Sequence, residues 1–214
     1  MTIKVFILGG VGGGKTTAKN RIGDFVKTRG VAQVQFNIYD ILKHLYQEDK
    51  EHARSQPIIE NGKEVGFLVT DLLFYDDTDI LLAEQIRERE RRNKEDLLLI
   101  EIAARNYADV FGRMHRVYPA VFSNAYFLFI STPLEERIRR IQKRNVSPRE
   151  DTPFLNEEVI RRYQDDGSAY ISSTFTSEFG IPDGRVRMIE NTGAERDFLR
   201  KIEQYAEYIC ACKR

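Results

Sequence analysis

The chain has 214 residues, 42% hydrophobic and 31% charged, with 33 basic side chains balanced by 33 acidic ones. These values fit one soluble globular domain with a well-buried core, and a formal net charge of zero gives no global attraction to nucleic acid or an anionic membrane. Cys210 and Cys212, separated by one residue, exclude a disulfide framework and a cysteine zinc site, and His44, His52 and His115 are scattered.

The first element is an apolar run, Ile3-Lys4-Val5-Phe6-Ile7-Leu8. It is short and enters a glycine loop directly, so it reads as a buried strand and not a signal peptide. Gly9-Gly10-Val11-Gly12-Gly13-Gly14-Lys15-Thr16 follows and fits G-x-x-x-x-G-K-[ST]. The run from Thr17 to Val26 reads as a helix. Strand, glycine loop and helix together make an anion trap. Glycines let backbone N–H groups turn inward, and the helix N-terminus adds partial positive charge. Lys15 is expected on the β- and γ-phosphates of a nucleoside triphosphate, and the Thr16 hydroxyl on Mg²⁺.

Val34 to Tyr39 reads as a second strand, with Asp40 at its end. The segment from about Lys43 to Phe67 is polar and mixed and reads as a mobile flap. Asp79 to Arg92 is an amphipathic helix. Leu97 to Ile102 is a third strand, with Arg105 one turn beyond it. Tyr126 to Ile130 is a fourth. Thr132-Pro133-Leu134-Glu135 carries the signature of a helix start, with Thr132 as N-cap. The helix that follows is basic, holding Arg137, Arg139, Arg140, Lys143 and Arg144. A second flap is expected after it, so that residues 137–154 form a lid. Val186 to Ile189 is a fifth strand, followed by Asn191-Thr192-Gly193. Glu195 to Cys210 closes the chain as an amphipathic helix. Continuous apolar strands separated by helices indicate a single domain over 1–214: a three-layer α/β/α sandwich around a parallel five-stranded sheet. The longest apolar stretch, Ala120 to Ile130, is too short to span a bilayer, and the expected location is the cytoplasm.

Ligands of parallel α/β sheets bind beyond the carboxyl ends of the strands. Asp40, Glu101, Arg105, Thr132 and Thr192 are therefore expected along the edge that carries the glycine loop. Glu101 ends an apolar strand. It either holds Mg²⁺, directly or through water, or is a capping or salt-bridged acid. Asp40 either accepts a proton from an acceptor hydroxyl, helps hold the metal, or caps the next helix. Arg140 and Arg144 share a helix face and are expected to neutralise charge on transferring phosphates.

The phosphate loop, the strand-end acids, the basic helix after the fourth strand and Asn191-Thr192-Gly193 together resemble the nucleoside and nucleotide kinase branch of P-loop proteins. Adenylate kinase, dephospho-coenzyme A kinase and the deoxynucleoside kinases are of this kind. Gly9-x-x-Gly12-x-Gly14-Lys15-Thr16 is a spelling these kinases favour, and Thr132 to Arg144 resembles their entry into the lid. The resemblance implies a P-loop NTPase fold, ATP and Mg²⁺ as cofactors and a small-molecule acceptor. It implies that Gly10, Val11, Gly12, Gly13, Gly14, Lys15, Thr16 and Thr17 surround the phosphates, with Arg140 and Thr192 also on the nucleotide. Lys15, Asp40, Arg105, Arg140 and Arg144 form the expected catalytic set, and Thr16 and Glu101 the expected metal set. Glu101-Ile102-Ala103-Ala104-Arg105 departs from the Asp-Gly-x-Pro-Arg of adenylate kinases, and the acceptor stays open among nucleosides, nucleotides and related metabolites.

Two other readings belong to different classes. One is a regulatory GTP- or ATP-binding NTPase without an acceptor. Asn93-Lys94-Glu95-Asp96 spells a guanine-reading motif and Asp109-Val110-Phe111-Gly112 an Asp-x-x-Gly, but in the wrong order and context. The other is a kinase of nucleic-acid ends, which the balanced charge does not encourage.

Overall fold

Strands that are apolar on both sides need cover on both faces. The computed structural model, which describes residues 2–60, 62–92, 97–103, 106–146, 157–162 and 167–212, shows how they get it. The chain runs β1 (Ile3–Gly9), α1 (Lys15–Lys27), β2 (Gln33–Asn37), α2 (Ile38–Glu48), β3 (Ser55–Glu60), β4 (Lys63–Val69) and α3 (Leu73–Arg92). It continues through β5 (Leu97–Glu101), α4 (Tyr107–Val117), β6 (Ala125–Ser131), α5 (Leu134–Asn145) and α6 (Glu157–Arg162). The last elements are α7 (Ser168–Ser173), α8 (Phe175–Phe179), β7 (Val186–Glu190) and α9 (Glu195–Cys212). Five strands form one sheet in the order β2-β5-β1-β6-β7, every pair parallel. This is the expected α/β/α sandwich.

Alternation along each strand feeds two cores. Phe6 and Leu8 of β1, Leu98 and Ile100 of β5, and Phe127 and Phe129 of β6 face α2, α3, α4, α7 and α8. Ile3, Val5 and Ile7 of β1, with Leu97, Leu99, Leu128 and Ile130, face α1 and α9. The first core is aromatic. Phe111 of α4 lies 4.9 Å from Phe175 and 5.4 Å from Phe122 by ring centroid, and edge-on to Phe127 at 5.9 Å.

The segment from Lys43 to Phe67 differs from the sequence expectation in form. Its described residues hold the end of α2 and a two-stranded antiparallel hairpin, β3 with β4. Rings join them. Phe67 stacks on Tyr46 at 4.4 Å and on Tyr39 at 6.0 Å, and the Tyr46 hydroxyl donates to Glu64 at 2.8 Å. Arg54 ties the hairpin base to α3 through Asp77 at 2.8 Å and to the residues just before that helix through Asp71 at 3.3 Å. Of residues 137–154, the described part, 137–146, is helix α5 and the residue after it.

Two helix starts also differ. Ile38 and Tyr39, read as strand, lie in the first turn of α2, where Asn37 Oδ1 accepts from the Tyr39 N–H at 3.0 Å. Asn37, not Asp40, is thus the cap of α2. Pro133, not Thr132, occupies the N-cap position of α5, without a side-chain cap. The Thr132 hydroxyl is engaged elsewhere, as described below.

Phe111 fills the centre of the aromatic core and is fully buried. Phe111→Ala should lower the unfolding free energy by about 3–5 kcal/mol, read as a shift in the denaturant midpoint with an unchanged slope.

Candidate functional site

The glycine loop owes its shape to its contacts as much as to its composition. Gly9, at φ +137°, lies with its Cα so close to the Ile130 carbonyl that a Cβ would collide with it. Gly12 (φ +78°) and Gly14 (φ +100°) adopt left-handed conformations that favour glycine. Gly13 N–H donates to Gly10 O at 3.1 Å, closing the turn. Ala18 N–H makes the first bond of α1, to Gly14 O at 3.0 Å. The amides of Lys15, Thr16 and Thr17 stand ahead of that ladder, at the positive end of a 13-residue helix.

Lys15 is buried, and its ammonium donates to Gly10 O at 2.9 Å. Its pKa falls to about 8 through burial first, against the opposing pull of Glu101 and with the help of Arg137 and Arg144. Arg137 is also buried, at 2% exposure, with its guanidinium packed where a side chain on Gly10 would sit. A side chain on Gly10 would have to displace the Arg137 guanidinium. Two cations consequently converge on one backbone cradle. Nothing in the sequence set Arg137 apart from its basic neighbours, although it lies one turn before Arg140 and two before Arg144 and is buried with Ile138 and Ile141.

The Thr16 hydroxyl donates to Glu101 Oε1 at 2.7 Å. Lys19 Nζ lies 2.9 Å from Glu101 Oε2, an ion pair by distance. Glu101 is thus salt-bridged, as one of its two readings had it, and also faces the Thr16 hydroxyl. A hydroxyl beside a buried carboxylate at the foot of the glycine loop fits a hydrated Mg²⁺ shared with phosphates. Among the described residues no group of three His, Cys, Asp or Glu could hold a metal without such help.

A second set of bonds braces the loop from behind. Gly13 O accepts from the Thr132 hydroxyl at 3.0 Å and from Asn191 Nδ2 at 2.9 Å. Arg140 in turn donates to Asn191 O at 3.1 Å, Asn191 Oδ1 at 3.3 Å and Glu136 Oε1 at 2.7 Å. Arg140 therefore secures the strand-end residue that secures the loop. Arg144 is half-buried, and its charge acts on both Lys15 and Tyr39. Val11 packs against the cluster of Ile138, Ile141 and Ile160, so α5 sits directly on the loop. Thr17 and Thr192 are exposed. Asp40 is exposed in the first turn of α2, past β2, whose Asn37 pairs in register with Glu101. Arg105 lies outside the described residues, as does the motif at 93–96. The Asp109–Gly112 motif is helical, with Asp109 accepting from Asn106 Nδ2 at 2.8 Å, and not at a strand end.

No protein-family model and no curated protein matches the sequence. Solved structures do match in shape. A candidate kinase of Chloroflexus aurantiacus aligns over 97% of each chain at TM-score 0.56 and 13% identity. The APS kinase of Mycobacterium tuberculosis, solved with AMPPNP and APS, aligns over 98% of this chain and 96% of its own at TM-score 0.53 and 12% identity. The likeness shows that this chain has the fold of P-loop kinases. No helix among the described residues is long and apolar enough to cross a membrane.

The lowered Lys15 pKa has a sign for stability. Unfolded, the group keeps its proton up to its ordinary value of 10.5; folded, it loses it near 8. The destabilisation is complete below about pH 8 and is relieved as pH rises toward 10.5. Lys15→Met should thus stabilise the ligand-free protein at pH 7 by about 1–3 kcal/mol, with the gain shrinking above pH 8 in denaturant titrations.

Proposed function

We propose that the chain is an ATP–Mg²⁺-dependent phosphotransferase acting on a small molecule, a nucleoside, nucleotide or related metabolite. The observation that carries this reading is the convergence of buried Lys15 and Arg137 on the glycine cradle, with Thr16 and Glu101 alongside. Two cations beside a turn whose backbone amides point inward suit a polyphosphate, which offers several negative oxygens at the spacing of successive amides. Thr16 and Glu101 would hold Mg²⁺, whose chemistry there is to neutralise charge on the phosphate oxygens. Lys15 and Arg137 would bear on the transferring group, with Arg144 between the cradle and the acceptor side. Asp40 and Arg105 belong to the acceptor side in this reading. The complex of the mycobacterial APS kinase with a triphosphate analogue and a nucleotide acceptor is in keeping with it.

The test has two stages. Calorimetry should register MgATP binding in preference to MgGTP; no heat with either removes the proposal. Phosphate transfer should then appear in a screen of nucleosides, nucleotides and small alcohols. Hydrolysis alone, unaccelerated by every acceptor, would indicate a regulatory NTPase instead.

Two arginines separate in effect. Arg137→Met should cut kcat at least about 100-fold, as expected when a preorganised cation is lost from the transition state. Arg140→Ala should act mainly through a loosened loop, raising the KM for ATP about 5- to 20-fold with a smaller change in kcat. Equal kcat losses in both would show that the division between them is misplaced.

A further inference from the structure

The ladder between β1 and β5 breaks at an informative place. Five residue pairs run in parallel register, from Ile3 with Leu97 to Ile7 with Glu101. The Ile102 N–H still donates to Ile7 O at 3.0 Å. Regular continuation of a parallel ladder would next place the Gly9 N–H on Ile102 O. Instead the Gly9 N–H donates to the Tyr107 hydroxyl at 2.7 Å. The single proton of that hydroxyl reaches Ile102 O at 3.2 Å or Gly9 O at 3.1 Å. A side-chain oxygen has entered the ladder where a direct backbone bond would stand.

That insertion sits between the two halves of the candidate site. Gly9 opens the phosphate loop, and Ile102 follows Glu101 directly. Tyr107 itself is buried at 1% exposure, its ring edge-on to Phe129 at 6.2 Å and stacked on Phe111 at 5.7 Å. Its hydroxyl therefore has little freedom to move. On the other side the ring presses on Gly167, at φ +76°, where any Cβ would strike it. Gly167 caps α7, so the ring is held between the sheet and that helix.

We propose that Tyr107 is a positioning residue for the bound metal–nucleotide: its hydroxyl, wedged between Gly9 and Ile102, sets the separation of the phosphate loop from Glu101. Direct closure of the ladder would draw the first loop residue toward the acid, and with it the Thr16–Glu101 pair that fits Mg²⁺. The wedge keeps the strand ends apart while satisfying both backbone groups. The inference rests on the loop being a nucleotide site. It adds a residue that contacts neither phosphate nor metal.

Tyr107→Phe keeps the ring and removes only the oxygen. Calorimetric titration of wild type and variant with ATP, with Mg²⁺ and again in EDTA, reads the metal-dependent part of the affinity. The variant should lose roughly tenfold in MgATP affinity, the worth of one well-placed hydrogen bond, while its Mg²⁺-free affinity stays within about twofold. Amide exchange at Gly9 in the ligand-free protein should quicken in the variant, a readout needing no nucleotide. Equal losses with and without Mg²⁺ would reveal a purely structural role and overturn the proposal. So would unchanged MgATP affinity or unchanged Gly9 exchange. Where Tyr107→Phe fails to fold, Gly167→Ala displaces the ring from the far side and should give the same metal-selective loss; a folded Gly167→Ala that binds MgATP as wild type does overturns the wedge. Failure of wild type to bind MgATP instead removes the function proposed above, and Gly9 exchange still judges the wedge.

Discussion

Two positive charges held out of water against one turn of backbone set the terms for the rest of this molecule. Lys15 and Arg137 are both buried, and each meets the Gly10 peptide from a different direction. Burial of like charges is unfavourable in the free protein, and the lowered Lys15 pKa records the strain. A structure keeps such an arrangement only where surrounding contacts over-determine it. They do so here. Gly13 O takes two side-chain donors, Gly10 O takes Lys15 and the Gly13 amide, and α5 packs Ile138 and Ile141 against Val11.

The sheet explains why so few residues suffice. Because every pairing in it is parallel, the ends of β1, β2, β5, β6 and β7 open on one edge. Gly9, Asn37, Glu101, Thr132 and Asn191 arrive there by topology alone. Each then does one local task. Asn37 caps α2, Glu101 meets Thr16 and Lys19, and Thr132 and Asn191 hold Gly13. Charge balance within the site follows the same economy: Glu101 lies against Lys19 on one oxygen and a hydroxyl on the other, so a carboxylate can be buried beside a loop built for anions.

Much of this was legible in the sequence. β1, β5 and β6 are buried on both faces, so their continuous apolar runs announced a parallel sheet, while β2 and β7 lie at its edges and show a weaker, mixed pattern. The placing of the loop, Lys15 and Thr16 between a strand and a helix was legible because the phosphate motif fixes spacing along one short stretch, and that of Glu101 because it closes an apolar strand. What was not legible depends on contacts between segments far apart in sequence. The hairpin of β3 and β4 carries Pro57 and a register shift at Ile58–Ile59, and it is held by rings on α2, so its own pattern is weak. Thr132 has the residue type of a helix cap, yet its hydroxyl bonds Gly13, 119 positions away in sequence. Arg137 and Arg140 look alike in a basic helix. Only the fold turns one onto Gly10 and the other onto Asn191.

That division of arginines bears on how the site would handle charge. An arginine already bonded to Glu136 and Asn191 has given up part of its field and most of its freedom, and Glu136 answers with a pKa held well below the ordinary carboxylate value by Arg139 and Arg140. It is a strut. Arg137 is buried against Gly10, where solvent screens little and a charge acts at greater strength. A cation so placed needs no reorganisation when negative charge develops beside it, which is the condition under which electrostatic stabilisation is largest. The same helix thus supplies both a brace that fixes the backbone and a charge that the brace keeps aimed. The apolar face of α5 is what holds the two in a fixed relation: Ile138 and Ile141 seat the helix on Val11, and the arginines follow from the helical repeat.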